Sequence, residues 1–373
     1  MKMNFAKYNF VPQADENVND IIELGIDLTR RYSENMGKTM NTDEQEKYNK
    51  ANRIFNEGLA KFCVEATGTK YTGLELLKNP QITKSILFRE KFNAVIAQVM
   101  TPVAPAVVSQ QFQNISEVKQ IGWGDTGRFV TKSNDLFYVN DIAEGVQLGA
   151  VQRLYNNEVV VNPTPKQIFV DADWYLMAAG MIDMGDWAYR IGASFGAYIN
   201  AGIISALNAN LTSGCAASSS YFAYGFSDAN FIKVAQLVSA ANGGAEVYCM
   251  GSLYTLGLVI PSSTYLQYGL GEQVAKEGFL DKYKGVRLFP IDPAILPGTI
   301  NSLTPTLIVP DGYLYMIGMG VYKPIKVVFE GQNVSVETVA TETPDKTGGL
   351  AVTMRLGISS IVSSRFGGIL GVS

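Results

Sequence analysis

Charge is spread unevenly along this chain of 373 residues, and that segregation constrains the fold more than any single motif. The first 80 positions carry 11 of the 30 Lys and Arg and 12 of the 34 Asp and Glu. Further on, the stretch from Leu176 to Phe226 is charged only at Asp183, Asp186 and Arg190. With 47 % hydrophobic and 17 % charged residues the chain has ample material for a large core, and its length allows roughly two to three domains. The expectation is a solvated helical arm that cannot fold into the core, followed by a packed body built to touch neighbours.

Within the arm, Val18, Ile21, Ile22 and Ile26 recur at helical spacing. Thr42 to Gln45 has the capping-box pattern ahead of the stripe Tyr48, Ala51, Phe55, Leu59, Phe62 and Ala66, which predicts a second helix. A third covers Ile86 to Val99, and Pro102 and Pro105 end helix formation. From Gly122 to Val161 the sequence turns strand-like. Arg128 to Val139 and Val146 to Tyr155 are rich in β-branched and aromatic residues, with turn chemistry at Asn140 to Gly145, so they read as a long two-stranded excursion. Its apolar alternation at Val146, Leu148 and Ala150 has no core of its own to face.

The low-charge stretch favours a long helix from Asp186 to Asn210, followed by a surface loop over Thr212 to Ser220. A helix over Asp228 to Ala241, a buried strand at Glu246 to Met250 and strands at Val286 to Phe289, Thr306 to Val309 and Tyr313 to Ile317 make an α/β unit. At the carboxyl end Leu350, Val352, Met354, Leu356 and Ile358 alternate with smaller or polar residues, a half-buried strand whose partner is Val334 to Val339. The two strands are expected to lie back against the long helix.

Composition excludes several classes of chemistry. There is no histidine, which removes the usual general base at neutral pH and rules out serine–histidine and cysteine–histidine enzymes. Cys63, Cys215 and Cys249 are three and widely spaced, giving neither a zinc knuckle nor a disulfide framework, and they suit a reducing site of synthesis. A net charge of −4 without like-charge runs offers no tight grip on nucleic acid or an anionic membrane. Met1 to Phe10 lacks the apolar run of a signal peptide, and Ile191 to Leu211, the one span of membrane length, carries Asn200, Asn208 and Asn210. It reads as a buried helix.

The catalytic strings found in the sequence are isolated. Gly192, Ser194 and Gly196 spell a nucleophile elbow but fall inside the long helix with no histidine to serve them. Ser116 and Lys119 match SxxK without its companion motifs, and Asp171 and Asp173 form an acidic pair that reads as solvated. The pairs Gly122/Gly124 and Gly318/Gly320 lack the third glycine, following helix and later acid of a dinucleotide site and read as turns and close packing. No catalytic, cofactor-binding or metal site is expected.

The order of elements, together with Gly278 to Pro297 (GFLDKYKGVRLFPIDPAILP) and Pro310 to Gly320 (PDGYLYMIGMG), resembles the major capsid proteins of tailed bacteriophages with the Hong Kong 97-like fold. The resemblance implies an α+β fold in which residues 1–85 form an N-terminal arm and 86–119 a connection. Residues 120–162 would be an extended E-loop, 163–215 a peripheral domain with a spine helix, 216–324 an axial domain and 325–373 the peripheral carboxyl strands. It further implies a structural protein, not an enzyme, forming pentamers and hexamers of an icosahedral shell around packaged double-stranded DNA. A portal, scaffolding and decoration proteins and loose contact with DNA would be its partners, and the virion its location.

Phe129, Val130, Leu136, Tyr138, Val146, Leu148 and Tyr155 in the excursion, with Tyr283 and Tyr313 in the axial segment, are the candidate subunit contacts. Lys132 in the E-loop reads as solvent-facing and not as a crosslinking residue. The alternatives are an encapsulin-like compartment shell, a tail or other tubular assembly protein, and an enzyme built on Ser116 and Lys119 or on a metal at Asp171 and Asp173.

Overall fold

The structure is a computed structural model that describes residues 16–35, 42–100, 112, 115–131, 137, 139, 152–153, 157–173, 184–212, 220–260, 276–291, 293–319, 323–339, 347–360 and 366–372. The chain divides into two compact units, residues 1–108, 165–196 and 331–355 in the first and 109–164, 197–330 and 356–373 in the second.

The first unit contains the helices α1 (Glu16–Asn35), α2 (Thr42–Glu65), α3 (Pro80–Thr83) and α4 (Ile86–Met100). The three sequence stripes become their packing faces: Val18, Ile22 and Leu28 of α1, Phe55, Leu59 and Cys63 of α2, and Phe88, Phe92 and Ile96 of α4 are all buried. Gly25 lets α1 approach its neighbours closely, because a Cβ there would stand 2.7 Å from the Phe55 ring and 2.8 Å from Val99 Cγ2. The charged segment therefore has a core of its own. The expected arm boundary at residue 85 is crossed by this packing, since α4 shares the core with α1 and α2.

The second unit is built on a six-stranded mixed sheet in the order β5-β12-β9-β6-β8-β7. Its strands are β5 (Phe222–Tyr224), β6 (Val247–Gly251), β7 (Lys282–Tyr283), β8 (Val286–Pro290), β9 (Tyr313–Gly318) and β12 (Phe366–Leu370). Helix α6 (Asp228–Ala241) buries Phe231, Val234 and Val238 in the core beside the sheet residues Cys249, Leu314 and Met316. Ser227 caps that helix through its hydroxyl, which accepts from the Asn230 N–H at 3.1 Å. Such a cap stabilises a helix by about 1 kcal/mol.

The sequence did not suggest β12, where Gly367 and Gly368 interrupt the strand pattern. Both are required by close approach: a Cβ at Gly367 would lie 2.3 Å from the Tyr221 carbonyl oxygen, and one at Gly368 would lie 2.8 Å from the Leu314 carbonyl oxygen. Residues expected to end in the peripheral domain thus join the six-stranded sheet.

A long helix, α5 (Met184–Thr212), matches the expected one and buries Ile191, Phe195, Ile199, Ile203 and Leu207 at four-residue spacing. Strands β1 (Ser116–Ile121), β10 (Ile325–Val339), β11 (Thr347–Ser360) and β4 (Thr164–Asp173) form a second sheet in the order β1-β10-β11-β4. The alternation at the carboxyl end is realised in β11, where Val352, Met354 and Leu356 are buried and Thr353 and Arg355 are half-buried. Its end packs on α5, where the Ser360 hydroxyl donates to the Ala206 carbonyl at 3.2 Å and Ile358 fills the space at Gly202.

Two strand expectations are corrected. Thr306 to Val309 is not a strand, because Pro305 and Pro310 bound it and only Leu307 makes a β-bridge, to Ile295. The excursion pairs β2 (Gly127–Thr131) with β3 (Asn157–Val161), and of the strands expected over Arg128 to Val139 and Val146 to Tyr155 the described residues Phe137, Val139, Gln152 and Arg153 lie outside any strand. Most of the span 132–156 and the loop over 213–219 lie outside the described residues. Among the described residues, no helix is long and apolar enough to cross a membrane.

Candidate assembly interface

The root of the excursion is fixed to one face of β10 at three successive inward positions. β1 runs parallel to β10 with Glu117 opposite Lys326 and Ile121 opposite Glu330. The β2–β3 pair packs on that face through Phe129 and Val161. Lys326, 1 % exposed, donates to Glu117 Oε2 and lies 5.2 Å from the centroid of the Phe129 ring. Val328 packs with Phe129 and Val161, and Gly127 is needed there because a Cβ would stand 2.4 Å from Val328 Cγ2. Glu330, also buried, accepts from the Gly124 N–H at 2.7 Å.

A buried ammonium costs several kcal/mol unless its charge is met. Here the Glu117 carboxylate and the face of Phe129 meet it, a cation–π contact worth up to about 2 kcal/mol when desolvated. The outer face of the hairpin is different. Val130 and Val160 are exposed, with Arg128 and Glu158 between them as an ion pair at 3.7 Å.

A second exposed apolar element follows β8. Buried Ile291, Ile308 and Val309 anchor a finger closed by hydrogen bonds from the Leu296 N–H to the Thr306 carbonyl and from the Ile308 N–H to the Ala294 carbonyl, both 2.8 Å. Its tip exposes Ile300 and Leu303, the latter completely. No charged residue occurs from Pro293 to Pro310.

The expected contact residues fall into three groups. Val130 is exposed, and Tyr313 is half-buried and stacked on Tyr315 with ring centroids 6.3 Å apart. Phe129 and Tyr283 are corrected, since both are buried inside the subunit: Phe129 over Lys326, and Tyr283 in the sheet core with its hydroxyl donating to Asp228 Oδ1. Burial, and then the Asp228 carboxylate, push the Tyr283 hydroxyl pKa up. Leu136, Tyr138, Val146, Leu148 and Tyr155, and Lys132, lie outside the described residues.

The catalytic strings are not assembled. Ser116 and Lys119 lie on strand β1, where residues three apart face opposite sides, and the buried Ser116 hydroxyl donates to the Phe112 carbonyl at 2.5 Å. Ser194 lies within α5 with its hydroxyl on the Arg190 carbonyl at 2.8 Å. Asp171 and Asp173 fall at the end of β4, and no cluster of metal-ligating side chains occurs among the described residues. Burial pushes the Cys63 and Cys249 thiols up, away from reactive thiolates.

No curated protein matches the chain in sequence. Among solved structures it is similar to the bacteriophage PhiM1 mature capsid, at 13 % identity over 69 % of this chain and 86 % of that one with a TM-score of 0.47. The capsid of the native GTA particle gives 10 % identity over 72 % and 91 % with a TM-score of 0.47. A virus-like particle from Pyrococcus furiosus gives 12 % identity over 74 % and 99 % with a TM-score of 0.41. These likenesses are too distant to carry the assignment, which rests on a family match. Residues 17–370 match the family described as "SPbeta prophage-derived putative capsid protein YonB", nearly the whole length of the sequence, and the chain belongs to this YonB capsid-protein family.

Proposed function

We propose that the chain is the major capsid protein of a tailed phage or prophage, a structural protein with the Hong Kong 97-like arrangement. Its copies form pentamers and hexamers that close an icosahedral shell around double-stranded DNA, as a component of the virion assembled in a bacterial host. The single observation that carries this reading is the capsid-family match over residues 17–370.

The molecule supports it physically. Apolar side chains are left at the surface of a hydrogen-bonded finger and along the outer face of a hairpin whose root is fixed, while the sheet core is closed. A standard interface of about 1,600 Å² has most of its gross apolar gain cancelled by lost freedom. Several such contacts per subunit stay individually weak, so misplaced copies can leave before the shell closes. In this reading residues 120–162 are the E-loop, residues 216–324 the axial domain, and portal, scaffolding and decoration proteins are the partners. Contact with DNA is loose, consistent with a net charge of −4.

Negative-stain microscopy of the concentrated protein, followed by nuclease digestion of particles made in cells, tests the proposal. Closed shells protecting double-stranded DNA are expected. Shells that enclose protein cargo and no DNA would indicate an encapsulin-like compartment, and open tubes a tail-type assembly.

A further inference from the structure

We propose that Trp123 is a rigidly mounted anchor by which one copy of this chain docks on a second copy; the inference rests on the shell reading above. Trp123 is 69 % exposed, although tryptophan brings more apolar area to an interface than any other side chain. Its backbone is held firmly. The Asp125 N–H donates to the Gly122 carbonyl at 3.3 Å, and Gly124 has a φ of 81°, the left-handed value that the third residue of a type II turn requires. The Gly124 N–H is in turn donated to Glu330 Oε1 at 2.7 Å, a carboxylate 206 positions away and only 6 % exposed. A long-range, charge-assisted hydrogen bond thus aims an indole at solvent, the pre-organisation that lowers the entropic cost of binding.

Nearby chemistry selects the partner. Among the described residues the cations at the hairpin root are engaged within the subunit: Lys119 donates to the Arg128 carbonyl at 3.3 Å, Arg128 pairs with Glu158 at 3.7 Å, and Lys326 is buried against Glu117. Phosphate-bearing ligands, whether DNA or membrane, would need those cations free. The turn also follows directly on β1, among the described residues an edge strand of its sheet, with Glu117, Val118, Lys119 and Gln120 all exposed. An exposed edge strand beside an exposed indole suits a protein surface, and in a shell the surface that meets every subunit is another copy.

Hydroxyl-radical footprinting of the wild-type chain, as free subunits and as purified particles, reads this directly by the labelling of Trp123. At least about a tenfold fall in labelling on assembly is expected. Trp123→Ala should raise the protein concentration needed for assembly about 30-fold or more, the effect of losing an interface hot spot, with the circular dichroism spectrum and thermal midpoint unchanged. Gly124→Ala, which keeps the indole and strains its mount, should weaken assembly in the same direction. Particles in which Trp123 is labelled as strongly as in free subunits would overturn the anchor and leave the shell reading standing. Protection that appears only when a different protein is added would assign the indole to that protein and overturn docking on a second copy. A wild-type chain that forms no particles at all would overturn both.

Discussion

The six-stranded sheet and the root of the excursion belong to the same unit, yet they are held by different physics. Among the described residues, the sheet shares sixteen buried side chains with its helices, Phe231, Leu314 and Met316 among them, in one continuous apolar cluster. The described residues of the root give three, Phe129, Val161 and Val328, flanked by the buried charges Lys326 and Glu330. Apolar area stabilises without direction, whereas an ion pair and a carboxylate-to-amide hydrogen bond fix orientation at little net gain. The sheet is built to be stable and the root to be aimed.

The contrast is broken most completely by excising what lies beyond the root. Replacing residues 132–156 with a short Gly-Ser linker between β2 and β3 should abolish shell formation, because the excursion's contacts are proposed to lie between subunits. Closing the shorter loop changes stability by under about 1 kcal/mol, so calorimetry should return a near-normal thermal midpoint. Shells formed by this variant, or its failure to fold, would place those contacts elsewhere.

In the core between α6 and the sheet, Phe231→Ala should cost about 3–5 kcal/mol, read as an early loss of the entire folded signal in urea. At the root, Glu117→Gln should cost about 1–2 kcal/mol, less than for a fully buried pair because Glu117 is half-exposed, since it leaves the Lys326 ammonium without a counter-charge. Lys326→Met keeps the packing over Phe129 and should cost less than Glu117→Gln. Equal effects would mean that the charge pair adds nothing beyond its volume.

Stability should be flat between pH 5 and 8, where a chain without histidine has no side chain of ordinary pKa to titrate. It should fall on the alkaline side. Burial, then the Asp228 hydrogen bond and charge, raise Tyr283, while burial and then the neighbouring Tyr313 raise Tyr315. A raised acid contributes stability that is complete below the unfolded tyrosine value near about 10 and is lost as pH climbs past it. Tyr283→Phe should cost about 1 kcal/mol at neutral pH and make the alkaline decline shallower, measurable by thermal melts across pH.

How legible each region was follows from the same division. Helix α6 was legible because Asn242 to Gly244 stop it and Phe231, Val234, Ala235 and Val238 mark its face, while its cap Ser227 emerges only in the structure. The long helix, β6 and the alternation of β11 were equally plain, their patterns being set by burial of apolar side chains. The failures occur where long-range packing overrides local text. Gly367 and Gly368 look unlike a strand until Tyr221 and Leu314 are seen against them. Trp123 and the finger from Pro293 to Val309 were missed because a turn and a proline-rich loop carry no periodicity. Phe129 was misread as an outward contact because the ion pair beneath it joins residues 209 positions apart.

The central claim is that this chain builds closed shells from copies of itself, and electron microscopy with light scattering over a rising concentration series tests it most directly. The account predicts a sharp onset of uniform closed particles at a threshold concentration, with little else between them and free subunits. A single monodisperse species of 40.6 kDa persisting to the highest concentration would contradict it.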